Sequence, residues 1–457
     1  MKASILLPVG TALAIAGYAV SKETPAEQAL KVSKPLPQVD LSSAIEPVPA
    51  TAPESAEAAP GDAGEPTPVP DPVDTTETVE KGLEWLASQQ HADGGWGQGG
   101  GWRTNTSGQG GRVEGPEVND PADIGNTAIA LKSFLRAGTK LGEGKYSENA
   151  RKAADFLFAA VEKSDEDTLF VTDVRGTQLQ SKIGPYVDTF LAMQVLADLN
   201  EQMPDEKAED RRARCLAKLA AKIEKNQKDD GSFDGNTAWA ATVSQGIASK
   251  AINGAWAAGA PVAEETLARD HAQNATGLDP QSGEVAAGAG GVSDAGVAIY
   301  RYASKLGGMA DYAKNNDKRR KEFQQKLDSE DASEEIKKQA KDELAKIDKA
   351  DKEKEVLLSN VSKQAGQAQF VAGFGNNGGE EFVSFMNIAE AMHAKGGKPW
   401  NEWQARMDTM LRSAQHNDGS WSGQHCITGR TFCTSTALLT LTTDRMTVEE
   451  PVAAKTE

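Results

Sequence analysis

Apolar residues recur at helical spacing from about Val79 to Met446, in two alternating styles. In VEKGLEWLASQQ the apolar positions are Val79, Leu83, Leu86 and Ala87. In RRARCLAKLAAKIEKNQ they are Cys215, Leu216, Leu219, Ala220 and Ile223. In NEWQARMDTMLRSAQ they are Trp403, Met407, Met410 and Leu411. Each set forms one stripe on an otherwise polar helix, so each predicts a helix packed on one side only. The segment after each is different. DIGNTAIALKSFLRAG from Asp123, NTAWAATVSQGIASKAI from Asn236 and TFCTSTALLTLT from Thr431 are rich in small residues and apolar on most faces. These predict helices buried all round, with polar residues at their starts to cap the first N–H groups.

Other stretches keep the rhythm. YSENARKAADFLFAAVEK leads to VDTFLAMQVLADL, with Asp188 and Thr189 at its start. PVAEETLARDH leads to GGVSDAGVAIYRYASKLG, with Ser293 and Asp294. GFGNNGGEEFVSFMNIAEAM supplies a further inner helix after a glycine-rich turn. The pattern predicts six helical hairpins, each an outer helix followed by an inner one.

A short motif joins the members of three of these hairpins. Its copies are Gln90–Trp96 (QHADGGW), Gln227–Phe233 (QKDDGSF) and Gln415–Trp421 (QHNDGSW). The invariant positions are Gln90, Asp93, Gly94 and Trp96; Gln227, Asp230, Gly231 and Phe233; and Gln415, Asp418, Gly419 and Trp421. The Asp-Gly step turns the chain sharply, and glycine accepts a positive φ there. The aromatic ring has a large area to bury. The glutamine amide is expected to serve the first backbone N–H groups of the next helix. The motif therefore predicts a structural joint.

This repeat resembles the QW motif of squalene–hopene cyclases and the related repeat of protein prenyltransferase β-subunits. The resemblance covers roughly residues 79–446. It implies an all-α (α/α)6 toroid, with inner helices around a central cavity. It also implies chemistry that can be looked for in the residues. Class II cyclases use an Asp-x-Asp-Asp acid, and no such run occurs here. Asp165-Glu166-Asp167-Thr168 is the nearest echo and lies between helices. In Asp120-Pro121-Ala122-Asp123 the last residue reads as a helix cap. Class I synthases use Asp-Asp-x-x-Asp, and Asp229-Asp230 lacks the third acid. Protein prenyltransferases hold zinc with an Asp-x-Cys pair and a distant His, but Gln424 stands two before Cys426. The complement-type thioester sequence is absent. Clustered acids or a Tyr-His pair of carbohydrate-cleaving toroids do not assemble from these residues.

The ends of the chain differ from its body. Lys2 followed by an apolar run from Ile5 to Val20 predicts a signal peptide or N-terminal anchor over residues 1–22. Residues 23–76 are rich in Pro, Ala and acidic residues and predict a disordered linker. The toroid is expected over 77–447 and a flexible tail over 448–457. Export places the protein in the periplasm, the cell envelope or outside the cell.

Composition narrows the partners. The chain has 457 residues, with 49 Lys plus Arg against 67 Asp plus Glu, a formal net charge of −18. Such a chain repels nucleic acid, so none is expected as a partner. Aromatics are only 6% of residues, a poor match for a cavity that must stabilise carbocations. Residues 309–362 are dominated by Lys, Asp and Glu, with a break near Ser329 to Ser333. Ile336, Ala340, Leu344 and Ile347 form a narrow stripe there. This predicts a charged helical arm at the fifth repeat, a solvated extension or a protein contact.

Three Cys and five His supply little chemistry. In an oxidising compartment Cys426 and Cys433 predict a disulfide across the turn into the last inner helix. The alternative for the same region is zinc on His425, Cys426 and Cys433. Cys215 reads as a packed thiol, and His91 and His416 as exposed. His271 and His393 read as surface or satisfied core residues. Arg430 is expected to make a salt contact. Three functions are compatible with this sequence. The first is a non-catalytic toroid without a cofactor, binding a protein, glycan or lipid in its cavity or acting as a scaffold. The second is a cyclase-type isomerase with a non-standard acid among Asp123, Asp188 and Asp294. The third is a zinc-dependent transferase using His425 and Cys426.

Overall fold

The structure is a computed structural model and describes residues 67–102, 112–113, 120–375 and 378–446, with residues 101, 102, 112 and 113 as backbone only. The signal peptide, most of the linker and the C-terminal tail expected from the sequence lie outside these residues. Within the linker segment, residue 67 docks on the body: Thr67 N–H donates to Gly366 O at 3.0 Å, and Arg406 Nη1 donates to Thr67 Oγ1 at 2.6 Å.

Twelve long helices carry the fold among the described residues. They are α1 (Thr76–Ser88), α2 (Ile124–Arg136), α3 (Ser147–Lys163), α4 (Val187–Asp198), α5 (Glu206–Asn226) and α6 (Ala241–Ala257). They continue as α7 (Glu264–Ala275), α8 (Ala298–Asp328), α9 (Glu334–Gln364), α10 (Gly379–Lys395), α11 (Gly397–Ala414) and α12 (Arg430–Leu441). A two-residue antiparallel hairpin, β1 (Gly101–Trp102) with β2 (Arg112–Val113), lies between α1 and α2.

The even-numbered helices form a closed ring. α2 packs on α4, α4 on α6, α6 on α8, α8 on α10, α10 on α12, and α12 returns to α2. The odd-numbered helices pack outside them. The chain is thus an (α/α)6 toroid. The burial follows the two patterns of the sequence. Every residue from Val187 to Ala197 of α4 and from Thr431 to Leu441 of α12 is buried. On α1 burial is confined to Thr78, Val79, Gly82, Leu83, Trp85 and Leu86, one helical stripe.

The three Gln-to-aromatic motifs share an aspartate turn and a glutamine clasp. The aspartate Oδ1 accepts from the N–H two residues on, in Asp93–Gly95, Asp230–Ser232 and Asp418–Ser420, at 3.0–3.1 Å. Trp96 Nε1 donates to Leu86 O at 2.7 Å and Trp421 Nε1 to Leu411 O at 2.8 Å, fastening each ring to its own outer helix. Phe233 packs on Phe190 instead, with ring centroids 5.1 Å apart.

The glutamine partner differs from the expectation. Gln90 Nε2 donates to Asn149 O on α3, Gln227 Nε2 to Thr266 O on α7, and Gln415 Nε2 to Thr78 O on α1. Each amide therefore serves a carbonyl near the start of the neighbouring outer helix, not an N–H of the inner one. The reason is the extended residue at Gln227 and Gln415, which ends the outer helix and turns the side chain sideways. The motif glycines meet the same neighbours. A Cβ on Gly94, Gly231 or Gly419 would stand 2.6, 2.2 or 2.4 Å from the backbone oxygen of Lys152, Arg269 or Lys81.

Residues 309–362 form the C-terminal part of α8, its turn and most of α9. α9 is the outer helix of the fifth pair, and α8 is lengthened to match it. Ile347, Ala350, Leu357, Leu358 and Val361 are buried, while Ile336 is exposed. Polar pairs zip the distal part: Arg320 with Asp348 at 2.5 Å and Asp351 at 2.9 Å, and Asn316 with Asp351 at 2.7 Å.

Candidate functional site

The ring has two unlike mouths. The starts of the inner helices meet at one of them. Gly125 N–H of α2 donates to Asp188 of α4 at 2.8 Å. Thr242 N–H of α6 donates to Ser293 O, just before α8, at 2.9 Å. Tyr300 of α8 donates its hydroxyl to Glu381 of α10 at 2.5 Å. Gly379 N–H donates to Ile427 O, ahead of α12, at 2.9 Å. Gly429 N–H donates to Gln178 Oε1 at 2.9 Å, closing the circle towards α4.

The far ends of the inner helices meet at the other mouth, around a cavity of about 940 Å³. Lys250 pairs with Glu390 at 2.6 Å and Asp311 at 2.8 Å. Arg136 pairs with Glu390 at 2.7 Å and Lys132 with Asp198 at 2.5 Å. Burial works against ionisation of Glu390, yet Lys250, Arg136 and Lys132 hold its carboxyl well below the usual range. A bore crossed by ion pairs is a poor host for a hydrocarbon chain, because its charges would lose both partners and water.

The mouth of helix starts holds the candidate acids. Asp123 caps α2 by accepting from Asn126 N–H at 2.8 Å. Burial, followed by the charge of Asp188, pushes its carboxyl up to about 7. Asp188 is also raised by burial, although the Gln180 amide (2.5 Å) and Gly125 N–H favour its charged form. These two of the three expected acids are brought together. Asp294 stands apart and pairs with Arg301 at 3.1 Å. All three are accounted for by backbone and ion-pair contacts.

A second acid pair was not singled out from the sequence. Glu380 and Glu381 open α10 and are both fully buried. Glu381 accepts from Tyr300 Oη, Phe374 N (3.0 Å) and Gly378 N (3.0 Å), and lies 3.5 Å from His425 Nε2. Glu380 accepts from Ile427 N–H at 3.3 Å. Burial, then the charge of Glu381, pushes Glu380 up to about 8. In the sequence the pair reads as ordinary first-turn acids that suit the helix dipole.

His425, Cys426 and Cys433 part company. One ligand atom each from Glu380, His425 and Cys426 lie within 4.8 Å of one another. Cys433 is outside this group, and its thiol points to Ile427 O at 3.6 Å. The disulfide expected between Cys426 and Cys433 is not formed: both are buried thiols, as is Cys215. The chain at Cys426 adopts φ 48°, and its thiol faces Glu380. Burial, then Glu380, pushes the Cys426 thiol up to about 12.

Aromatic residues sit on the rim of this mouth. Trp239 and Phe374 are 40% and 46% exposed and meet edge to face at 5.6 Å, joining the approach to α6 with the approach to α10. Phe374 also meets His425 at 5.3 Å. Further round, Phe170 contacts Tyr186 at 4.9 Å, and the Arg175 guanidinium lies 3.6 Å over Phe170. Exposed Trp at the start of an all-buried helix, in NTAWAATVSQ, is the signal that sequence reading passed over. Elsewhere, His271 stacks on Tyr312 at 4.3 Å, His416 is exposed, and Arg430 pairs with Asp418 at 2.5 Å.

Neither a family model nor a curated protein sequence matches the chain. One solved structure that resembles it is an inactive double Asp-to-Asn variant of the α-1,6-mannanase GH76A of Salegentibacter sp. HEL1_6, in complex with α-1,6-mannotriose. It is 11% identical, its TM-score is 0.47, and the match covers 81% of this chain and 99% of that one. The family expected from the Gln-to-Trp repeat is therefore corrected. This neighbour belongs to a different family from the squalene–hopene cyclases. The repeat's bonds shape its own turn or fasten it to neighbouring helices, so the motif reports a helix joint and not a family. Among the described residues, no helix is long and apolar enough to cross a membrane.

Proposed function

We propose that the toroid binds a glycan at the mouth formed by the inner-helix starts. The observation that carries this reading is the exposed Trp239–Phe374 pair, set directly over a buried polar cluster. Two large rings left half in water are costly unless something covers them. A pyranose suits such a surface. Its C–H faces lie on aromatic rings, and its hydroxyls reach amides, carboxylates and guanidinium groups at the edge. Arg175, Lys182 and Gln180 stand near enough to Asp188 and Glu380 to complete that edge. The charged bore behind the mouth favours a polar ligand over a lipid. Export, from the apolar run of residues 5–20, would bring the toroid to envelope or extracellular polysaccharide. The acids at the mouth serve helix caps and loops, so the reading is of a binding protein.

Isothermal titration with a panel of neutral and acidic oligosaccharides tests this. At least one glycan is expected to bind, and Trp239→Ala or Phe374→Ala is expected to weaken it 10-fold or more with an unchanged circular dichroism spectrum. Silence across the panel, or affinity indifferent to both substitutions, overturns the proposal.

A further inference from the structure

We infer that Glu380, His425 and Cys426 form a binding site for a zinc-like divalent metal ion. Three independent features of the fold point to it. The first is convergence: a carboxylate oxygen, an imidazole nitrogen and a thiol sulfur from two separate elements stand within 4.8 Å of one another, all buried. The second is an orphan. Glu380 Oε1 is buried with no partner of ordinary hydrogen-bond geometry among the described residues, and the group set against this carboxyl is the Cys426 thiol itself. The third is the backbone. Cys426 is a non-glycine residue at φ 48°. On an extended chain, neighbouring side chains point to opposite sides and His425 and Cys426 could not share an ion. The left-handed step at Cys426 removes that obstacle, and strain of this kind collects at ligand sites.

The donor set chooses the metal. Thiolate and imidazole favour Zn²⁺ over Mg²⁺ or Ca²⁺, which take oxygen donors. Ligand atoms of a tetrahedral zinc site stand about 3.3–3.8 Å apart for bonds of about 2.0–2.3 Å. Rotation of the Glu380 and His425 side chains by roughly 1 Å would therefore close the site. The outer contacts are already in place. Glu381 Oε2 lies 3.5 Å from His425 Nε2, and Tyr300 Oη donates to the other oxygen of Glu381. Carboxylates in that position orient metal-binding imidazoles. Binding requires Cys426 as a thiolate and Glu380 as a carboxylate, and the protons they release go to solvent. Three protein ligands leave a fourth position for water. The inference does not rest on the glycan reading.

The test uses the purified full chain, stripped with a chelator and titrated with Co²⁺. A thiolate-to-metal absorption band should saturate at one ion per chain, with visible bands of tetrahedral intensity, and added Zn²⁺ should erase both. Cys426→Ser should abolish the band. His425→Ala and the near-isosteric Glu380→Gln should weaken binding 10-fold or more, whereas Cys433→Ser and Cys215→Ser should leave it intact. A folded wild-type chain that shows no thiolate band overturns the inference, as does a band that survives Cys426→Ser or vanishes with Cys433→Ser.

Discussion

The side-chain amide of Gln415 donates to the carbonyl of Thr78 at 2.8 Å, linking residues 337 positions apart. Its second hydrogen goes to Gly419 O at 2.9 Å. The bond joins the last outer helix to the first, so the third copy of the motif closes the ring. The first and second copies make the same junction between consecutive outer helices, through Gln90 and Gln227. A toroid needs such a fastener most where its ends meet, because no covalent turn holds them there.

Gln415→Ala should therefore cost about 1–3 kcal/mol, since it breaks both bonds of the clasp and leaves Gly419 O without its amide donor. Gly419→Ala should cost more. Its φ is 91°, and a Cβ there would stand 2.4 Å from Lys81 O. Gly144→Ala is the control: φ is 103°, with nothing within 4 Å. Chemical denaturation of the three variants separates strain alone from strain plus collision. Equal losses for Gly419→Ala and Gly144→Ala would show that the closing contact contributes nothing.

The buried acids set a pH profile. Asp123 has a model-peptide value of 3.8 and is pushed up to about 7 in the fold. Between those values the folded chain holds a proton that the unfolded chain has released. Stability contributed by this site therefore falls as pH rises from about 4 to 7, and is flat above. Glu390 acts in the opposite sense. Its folded value lies well below 4.5, so its contribution is present above pH 4.5 and fades as pH falls below it.

Asp123→Asn should isolate the first effect. The new amide oxygen can still accept from Asn126 N–H, and Asn126 Oδ1, buried without a partner, can accept from the new NH2 after an amide flip. The variant should match wild type near pH 5 and exceed it by about 1–3 kcal/mol at pH 8. Melting curves across this range check the sign. A variant that is less stable at pH 8 would mean that Asp123 is charged in the fold.

The opposite mouth gives a larger effect. Lys250 is buried between Asp311 and Glu390. Replacing it by Met removes the cation shared by both acids and leaves Glu390 with Arg136 and Asp311 with Lys314. A loss of about 3–5 kcal/mol is expected, the usual result of breaking a buried ion pair from one side. The double variant Lys250→Met with Glu390→Gln should recover part of that loss, because it removes a stranded charge. Guanidinium denaturation of both variants decides whether the network acts as a unit.

What the sequence made legible was local. The turn chemistry of residues 90–96, 227–233 and 415–421 marked three of the six joints, and the two styles of apolar pattern separated outer from inner helices. What stayed hidden needed distance. The partners of Gln90 and Gln415 lie on other helices, 59 and 337 positions away. Glu380 meets His425 and Cys426 across more than forty residues, and only because Cys426 takes a backbone conformation that no propensity announces. The family resemblance failed for the same reason. A joint can be shared by toroids whose cavities share nothing.

The second joint offers a final test of what the aromatic position requires. Trp96 and Trp421 each donate an indole N–H to a carbonyl ten residues back. Phe233 has no such donor, although Ile223 O stands at the equivalent place. Phe233→Trp would add a hydrogen bond of about 0.5–1.5 kcal/mol. It would also force a larger ring against Phe190, whose centroid is 5.1 Å away in a fully buried position, and overpacking costs about 1–3 kcal/mol. The second effect is the larger, so the variant should lose about 1 kcal/mol. Trp96→Phe should lose about 1–2 kcal/mol at its own joint, because Leu86 O forfeits the indole donor. If thermal melts show Phe233→Trp gaining stability while Trp96→Phe loses it, the hydrogen bond outweighs the packing, and all three joints share one optimum.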